Sequence, residues 1–257
     1  MTRRPLLAAL AFGLSTATAC GESTPVDDAG MSLSATLGGA DTTGYARAVL
    51  PRLFVFPDDH GPHSQYRTEW WYVTGNLGDA EGRRVGYQLT IFRNALAPFA
   101  PRSSSAWATQ QAYMAHLAVT DAGGGEFHAF ERFARGALGL AGARARPFRV
   151  WLEDWVLEAE GGEGIFPMRV RASEGDVTLD LTLDAGKPPV LQGEAGLSRK
   201  GPEPGNASYY YSHTRMPTTG TVVLRGDTLA VSGASWLDRE WSTSVLTEGQ
   251  VGWDWFA

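Results

Sequence analysis

One cysteine, Cys20, is all the chain has in its 257 residues. An intramolecular disulfide is therefore excluded, and the fold must be held by its core alone. Helical patterning is almost as scarce. The clearest spacing of apolar residues at three and four is Phe130, Phe133, Ala134 and Ala137, and Gly136 and Gly139 interrupt it. No Gly-x-Ser-x-Gly elbow, no GxxxxGK[ST] loop and no HExxH is present. The Gly123-Gly124-Gly125 run lies between strand-like segments with no helix opening after it, so it reads as a turn and not a phosphate cradle. An excess of positive charge is missing too. The formal net charge is −6, which gives no electrostatic reason to bind nucleic acid or an anionic membrane surface.

The N terminus has the form of an export signal. Arg3 and Arg4 precede an apolar and small-residue run from Leu6 to Ala19, too short to span a membrane. Residues 1–19 are expected to be removed, taking two positive charges with them and leaving a mature net charge of −8. Ala17-Thr18-Ala19-Cys20 resembles a lipobox, so lipidation of Cys20 and a lipid anchor in the membrane are expected, with simple secretion as the alternative. Residues 20–45, beginning in a stretch rich in Gly, Ser, Thr, Asp and Ala, read as a disordered tether. The expected location is the cell envelope or periplasm.

The body reads as all-β. Segments 68–77, 84–93, 111–120 and 126–133 carry alternating aromatic and β-branched residues, separated by Asp- and Gly-rich turns. Further strands are expected at 148–159, 167–173 and 177–183. A meander of this spacing predicts an antiparallel barrel or sandwich. The face that mixes Gln88, Thr90 and Phe92 with Met114, His116 and Ala118 suits the lining of an apolar cavity with a few polar anchors. Residues 184–206 hold four prolines and five glycines and read as a connection, with a linker at 191–206 between an N-terminal unit (46–190) and the start of a second unit (207–257). Strand patterning restarts at 207–215, 220–225, 228–234 and 251–257. Gly252-Trp-Asp-Trp-Phe256 at the terminus suggests a second β unit cut short.

His60-Gly-Pro-His63 leading into Thr68-Glu-Trp-Trp-Tyr72-Val-Thr-Gly75, then Tyr113-Met-Ala-His116, Phe127-His-Ala-Phe-Glu-Arg-Phe133, Tyr209-Tyr-Tyr-Ser212 and Trp236-Leu-Asp-Arg-Glu-Trp241, resemble in order an AttH-like family of secreted bacterial proteins. The resemblance covers Phe56 onward. It implies tandem lipocalin-like β domains, the second truncated here, and kinship with carotenoid 1,2-hydratase and kievitone hydratase. The hydratase pattern His-x-Trp-x-Pro and Tyr-x-Asp becomes His213-Thr-Arg215-Met-Pro217 and Trp236-Leu-Asp238. His213 and Asp238 match; Arg215 and Trp236 depart, which counts against a long polyene substrate.

Asp238, between Trp236 and Trp241, is the expected acid, because indoles desolvate a carboxyl and favour its neutral form. Aromatic faces stabilise the cation that alkene protonation creates. His213 would hold or deprotonate the attacking water. The alternative for Asp238 and Glu240 is an ion network with Arg239 or Arg215. Expected contributors to substrate binding are Glu69, Trp70, Trp71, Met114, His116, Tyr211, Trp236 and Trp241. Alternation puts Glu69 and Trp71 on one face and Trp70 and Tyr72 on the other, with Arg93 or Arg132 as partner for Glu69. His60 and His63 lie in a Gly-Pro loop without a cysteine ligand, so no metal or other cofactor is expected. Two functions fit: an exported hydrolase or hydratase acting on a lipid-like or isoprenoid substrate, or a non-catalytic lipid carrier working beside an envelope transport system.

Overall fold

A computed structural model describes residues 42–244, and these are built from antiparallel strands. Strands β1 (Thr68–Gly78), β2 (Arg84–Ala95), β3 (Gln111–Asp121) and β4 (Glu126–Arg135) form one meander. A second comprises β5 (Ala141–Ala145), β6 (Phe148–Leu152), β7 (Trp155–Ala159), β8 (Met168–Glu174) and β9 (Val177–Leu183). Burial alternates residue by residue in β1, β3 and β9, the period-two pattern of a sheet with one face in the core. Two more short strands, β10 (Val190–Leu191) and β11 (Leu197–Arg199), lie along β12 (Ala207–Leu224), which turns into β13 (Asp227–Ser242).

The long β12–β13 hairpin joins the meanders. β13 pairs with β1 over Ser232–Ser242, and β12 pairs with β9 over Thr218–Leu224. The strand order is β4-β3-β2-β1-β13-β12-β9-β8-β7-β6-β5, a sheet curled into a nearly closed barrel. Its interior is filled. Trp71, Leu89, Ile91, Leu117, Val150, Leu152, Leu157, Val170, Leu181 and Leu237 form one continuous core. A bulge between His213 and Met216, with Arg215 at φ 53°, shifts the register where β12 leaves its short neighbours for β9.

Residues 45–66 close one end of the barrel. Phe54 packs against Tyr209, Tyr211 and Trp241. The Tyr209 hydroxyl donates to Leu50 O at 2.8 Å, and the Trp71 indole N–H donates to His60 O at 2.8 Å. Gly61 in this plug approaches β5 so closely that a Cβ there would lie 2.6 Å from that of Ala145.

Three expectations change. Residues 207–242 do not begin a separate unit: β12 and β13 occupy the middle of the one sheet, because each has a first-meander or second-meander strand as its outer partner. The linker at 191–206 is not free chain, since β11 and the end of β10 within it hydrogen-bond to β12. The apolar cavity inside the barrel is absent among the described residues, because the mixed face turns outward and Tyr87, Leu89, Ile91, Ala115 and Leu117 point in. Smaller differences concern strands. Segment 148–159 is a hairpin turning at Glu153, whose φ is 57°, and 207–225 runs as one strand through Pro217. The expected signal 1–19, Cys20, most of the tether and the terminal Gly252–Phe256 run lie outside the described residues.

Candidate active site

Two rows of register partners cross the outer face of the sheet. One runs Ser212, Asp238, Tyr72, Thr90, His116; the other runs Tyr210, Glu240, Trp70, Phe92, Met114, Phe133. Alternation along β13 puts Trp236, Asp238 and Glu240 on this face and Leu237, Arg239 and Trp241 on the inner one. Asp238 and Glu240 are both fully buried. The Ser212 hydroxyl donates to Asp238 Oδ1, and the Trp236 indole and Tyr210 phenol lie close enough to the same carboxyl to act on it. Burial pushes the Asp238 carboxyl up, against the smaller opposing pull of Ser212, Trp236 and Tyr210. Burial likewise pushes Glu240 up, although Lys200 Nζ lies 2.8 Å from its Oε1. The Tyr210 phenol is raised by burial and by the adjacent Asp238.

A different cluster occupies the plugged end, on the inner face. Glu69 is fully buried and pairs with both Arg93 and Arg239, and the His63 backbone N–H donates to its two oxygens at 3.0 Å. Burial alone would raise Glu69; the guanidiniums of Arg239 and Arg93 outweigh it and hold the carboxyl far below the usual range. Arg239 lies 3.9 Å over Trp71, and Trp241 stacks on His63 at 3.7 Å with their planes 5° apart. His63 also reaches Asp59, itself held by Arg52 at 2.9 Å. Beside this network His60 Nδ1 meets the Tyr211 hydroxyl at 2.5 Å, and the His60 and His213 rings are 5.5 Å apart. Burial lowers His60 to about 3, helped by His213 and Arg239, and lowers His213 to about 4. Both are neutral imidazoles at ordinary pH.

The expected site is thus divided by the sheet. His213 pairs with Leu237 in register, so its side chain leaves the face opposite to that of Asp238, and the two do not form an acid–base pair. Trp241 is also on the far side, which leaves Trp236 as the indole beside Asp238. Glu69, Trp71 and Tyr211 belong to the inner cluster, with Arg93 as the Glu69 partner; Arg132 instead pairs with Asp154 and Glu174. Trp70, Met114 and His116 are half-buried on the outer face, in the same rows as the carboxylates. Arg239 serves Glu69 and not Asp238 or Glu240. Residues unforeseen as partners are Lys200, Tyr210, Ser212 and Tyr72. Their period-two spacing was available, but which strand lies beside β13 was not. Among the described residues no group of three or more His, Cys, Asp or Glu side chains converges to hold a metal.

Comparison with known proteins agrees with this arrangement of strands. A family model described as AttH-like matches residues 47–257. Kievitone hydratase of Fusarium solani subsp. phaseoli is 24% identical over 214 residues, covering 80% of this chain and 52% of that protein. Dehydratase asqC of Emericella nidulans is 30% identical over 113 residues, or 41% of this chain and 30% of that one. The crystal structure of an AttH from Nitrosomonas europaea superposes with a TM-score of 0.66 at 38% identity, over 79% of this chain and 60% of that one. Kievitone hydratase from Nectria haematococca gives 0.54 at 16% identity over 79% and 56%, a likeness of fold. The chain spans about half the length of the kievitone hydratase it matches. With the family model covering the plug and every strand described above, the chain belongs to the AttH-like family.

Proposed function

We propose that the protein is a hydratase that adds water to a carbon–carbon double bond of an apolar, isoprenoid or lipid-like substrate, or removes it in reverse, and that Asp238 is the acid. The observation that carries this reading is a fully buried carboxyl, raised by that burial and set among Trp236, Tyr210 and Tyr72. A carboxyl kept neutral by desolvation can protonate an alkene. The cation that results is favoured by the faces of neighbouring aromatic rings. The relatives named hydratase and dehydratase support the same chemistry. Because the barrel interior is filled, the substrate lies on the outer face, along the half-buried row Trp70, Phe92 and Met114. Asp238 lies in the neighbouring row of register partners. The signal-like N terminus and Cys20 support a location in the cell envelope at a lipid anchor for this activity.

The test is mass-spectrometric. The full chain is incubated with squalene or farnesol in H2(18)O, and the product is examined for one added heavy water. Wild type is expected to incorporate the label and Asp238→Asn to lose about 10²–10⁴-fold of the rate, the usual worth of a general acid. Undiminished incorporation in Asp238→Asn removes Asp238 from the mechanism. Retention of either lipid without any chemistry, in wild type and variant alike, supports the carrier reading instead.

A further inference from the structure

Glu240 is the second fully buried carboxylate of the outer face, and the acid step leaves it unused. Resting on the hydratase reading of the Asp238 site, we infer that Glu240, held by Lys200, is the base that takes a proton from the attacking water.

Two residues along a strand are about 6.7 Å apart, enough for a water between side chains that share a face. Glu240 lies between Trp70 of β1 and Tyr210 of β12, and Asp238 between Tyr72 and Ser212 of the same two strands. Tyr210 is influenced by both carboxyls. Two buried carboxyls at this spacing do not ionise independently: the first proton to leave makes the second harder to remove. The surroundings decide which leaves first. Lys200, in the connection after β11, puts its ammonium 2.8 Å from Glu240 Oε1 and pulls that carboxyl down more than any other neighbour, whereas for Asp238 it is the weakest of several influences and the contact made to Oδ1 is a neutral hydroxyl. The ammonium also stands 5.6 Å from the centre of the Tyr210 ring. In this assignment the nearer cation makes Glu240 the ionised member and Asp238 the protonated one, against the opposing effect of the Asp238 charge on Glu240.

The step balances without a cofactor. Asp238 gives its proton to one alkene carbon, where a C–H bond forms from the π pair, leaving a cation on the neighbouring carbon. Water supplies the C–O bond and passes a proton to the Glu240 carboxylate. Return of that proton from Glu240 to Asp238 restores the starting state, so the net change is alkene plus water to alcohol. Dehydration runs through the same groups in reverse order.

Infrared spectroscopy of the full chain, labelled with (13)C in Asp or Glu carboxyls, tests the division of protons without any substrate. At neutral pH the protonated-carboxyl stretch is expected to vanish in Asp238→Asn and persist in Glu240→Gln. Lys200→Met, a change at a partly exposed side chain, is expected to add a second protonated-carboxyl band in the Glu label. An unchanged spectrum in Lys200→Met, or loss of the original band in Glu240→Gln, overturns the assignment. With squalene and H2(18)O, Glu240→Gln is expected to lose about 10²-fold or more in kcat. Lys200→Met is expected to move the acid limb of the kcat/KM profile to higher pH, because a carboxylate deprived of its cation holds its proton longer. If Asp238→Asn abolishes turnover while Glu240→Gln retains it, this inference alone fails. If Asp238→Asn retains it, the assignment of Asp238 as the acid fails, and this inference with it.

Discussion

Glu69 holds two guanidiniums away from water, and among the described residues neither Arg93 nor Arg239 has another carboxylate to turn to. Glu69→Gln therefore leaves buried positive charge uncompensated, and urea unfolding at pH 7 is expected to show a loss of about 3–5 kcal/mol. Its folded carboxyl is depressed, so the stabilisation is complete above the ordinary Glu range near pH 4.3 and is lost as pH falls below it. The two histidines of the inner cluster act at a higher pH. His60 and His213 stay neutral in the fold down to about 3 and about 4, while the unfolded chain protonates them from about 6.5 downward. Stability is therefore expected to fall below pH 6.5 by up to about 1.4 kcal/mol per pH unit for each. His213→Phe should remove one proton from that slope between pH 6 and 4.5, measured by urea titrations across the range; an unchanged slope contradicts the burial argument. Much of this detail was legible in alternation, which separates Glu69 and Trp71 from Trp70 and Tyr72. No strand was expected over Trp236–Trp241, so the same rule was not applied there, and Asp238 was placed between two indoles that occupy opposite faces.

The β12–β13 hairpin must pass close over its neighbours to bind β1 on one side and β9 on the other. Gly233 makes this approach feasible: a Cβ there would collide with the backbone carbonyl oxygen of Asn76 and meet Leu77 Cα at 3.0 Å. Backbone cannot rotate aside as a side chain can. Gly233→Val is expected to cost about 1–3 kcal/mol or more by overpacking. Gly161→Val, where nothing lies within 4 Å, is the matched control and should stay within about 0.5 kcal/mol. Equal effects of the two in thermal unfolding would show that close strand contact is not what Gly233 provides. The strands themselves were largely visible in sequence, because period two survives wherever one face is buried. β5 was not, since Ala141-Gly-Ala-Arg-Ala145 has little of the β-branched or aromatic character that marks a strand. Pro217 and the bulge before it broke β12 into two apparent segments.

At the scale of the molecule, sequence distance and spatial neighbourhood part company. β1 and β13 are adjacent although most of the chain lies between them, and no local pattern carries that information. Composition and spacing were enough for an antiparallel barrel; the membership of 207–242 in the same sheet required the pairing itself. A chain ending at residue 206 would lack both central strands, leaving β1 and β9 each with an unpaired edge and the Leu237 and Val222 positions of the core empty. Residues 42–206 are accordingly expected to show no cooperative thermal transition by circular dichroism, whereas residues 42–244 should. A cooperative transition in the shorter chain would mean that the first unit is independent after all.

One interval of the ring has no ladder among the described residues: β4 and β5 are the two ends of the strand order. Near it Arg132 of β4 reaches Glu153 and Asp154 in the β6–β7 turn and Glu174 at the end of β8, and lies 4.6 Å over Trp155. Partly exposed ion pairs of this kind are individually worth little, about 0–1 kcal/mol, and can be exchanged one for another. That seam is therefore held by side-chain ion pairs and a cation–π contact rather than by a backbone ladder, like a belt closed by its buckle. Phe133, next to Arg132 on β4, ties that closure to the outer row through its register partner Met114.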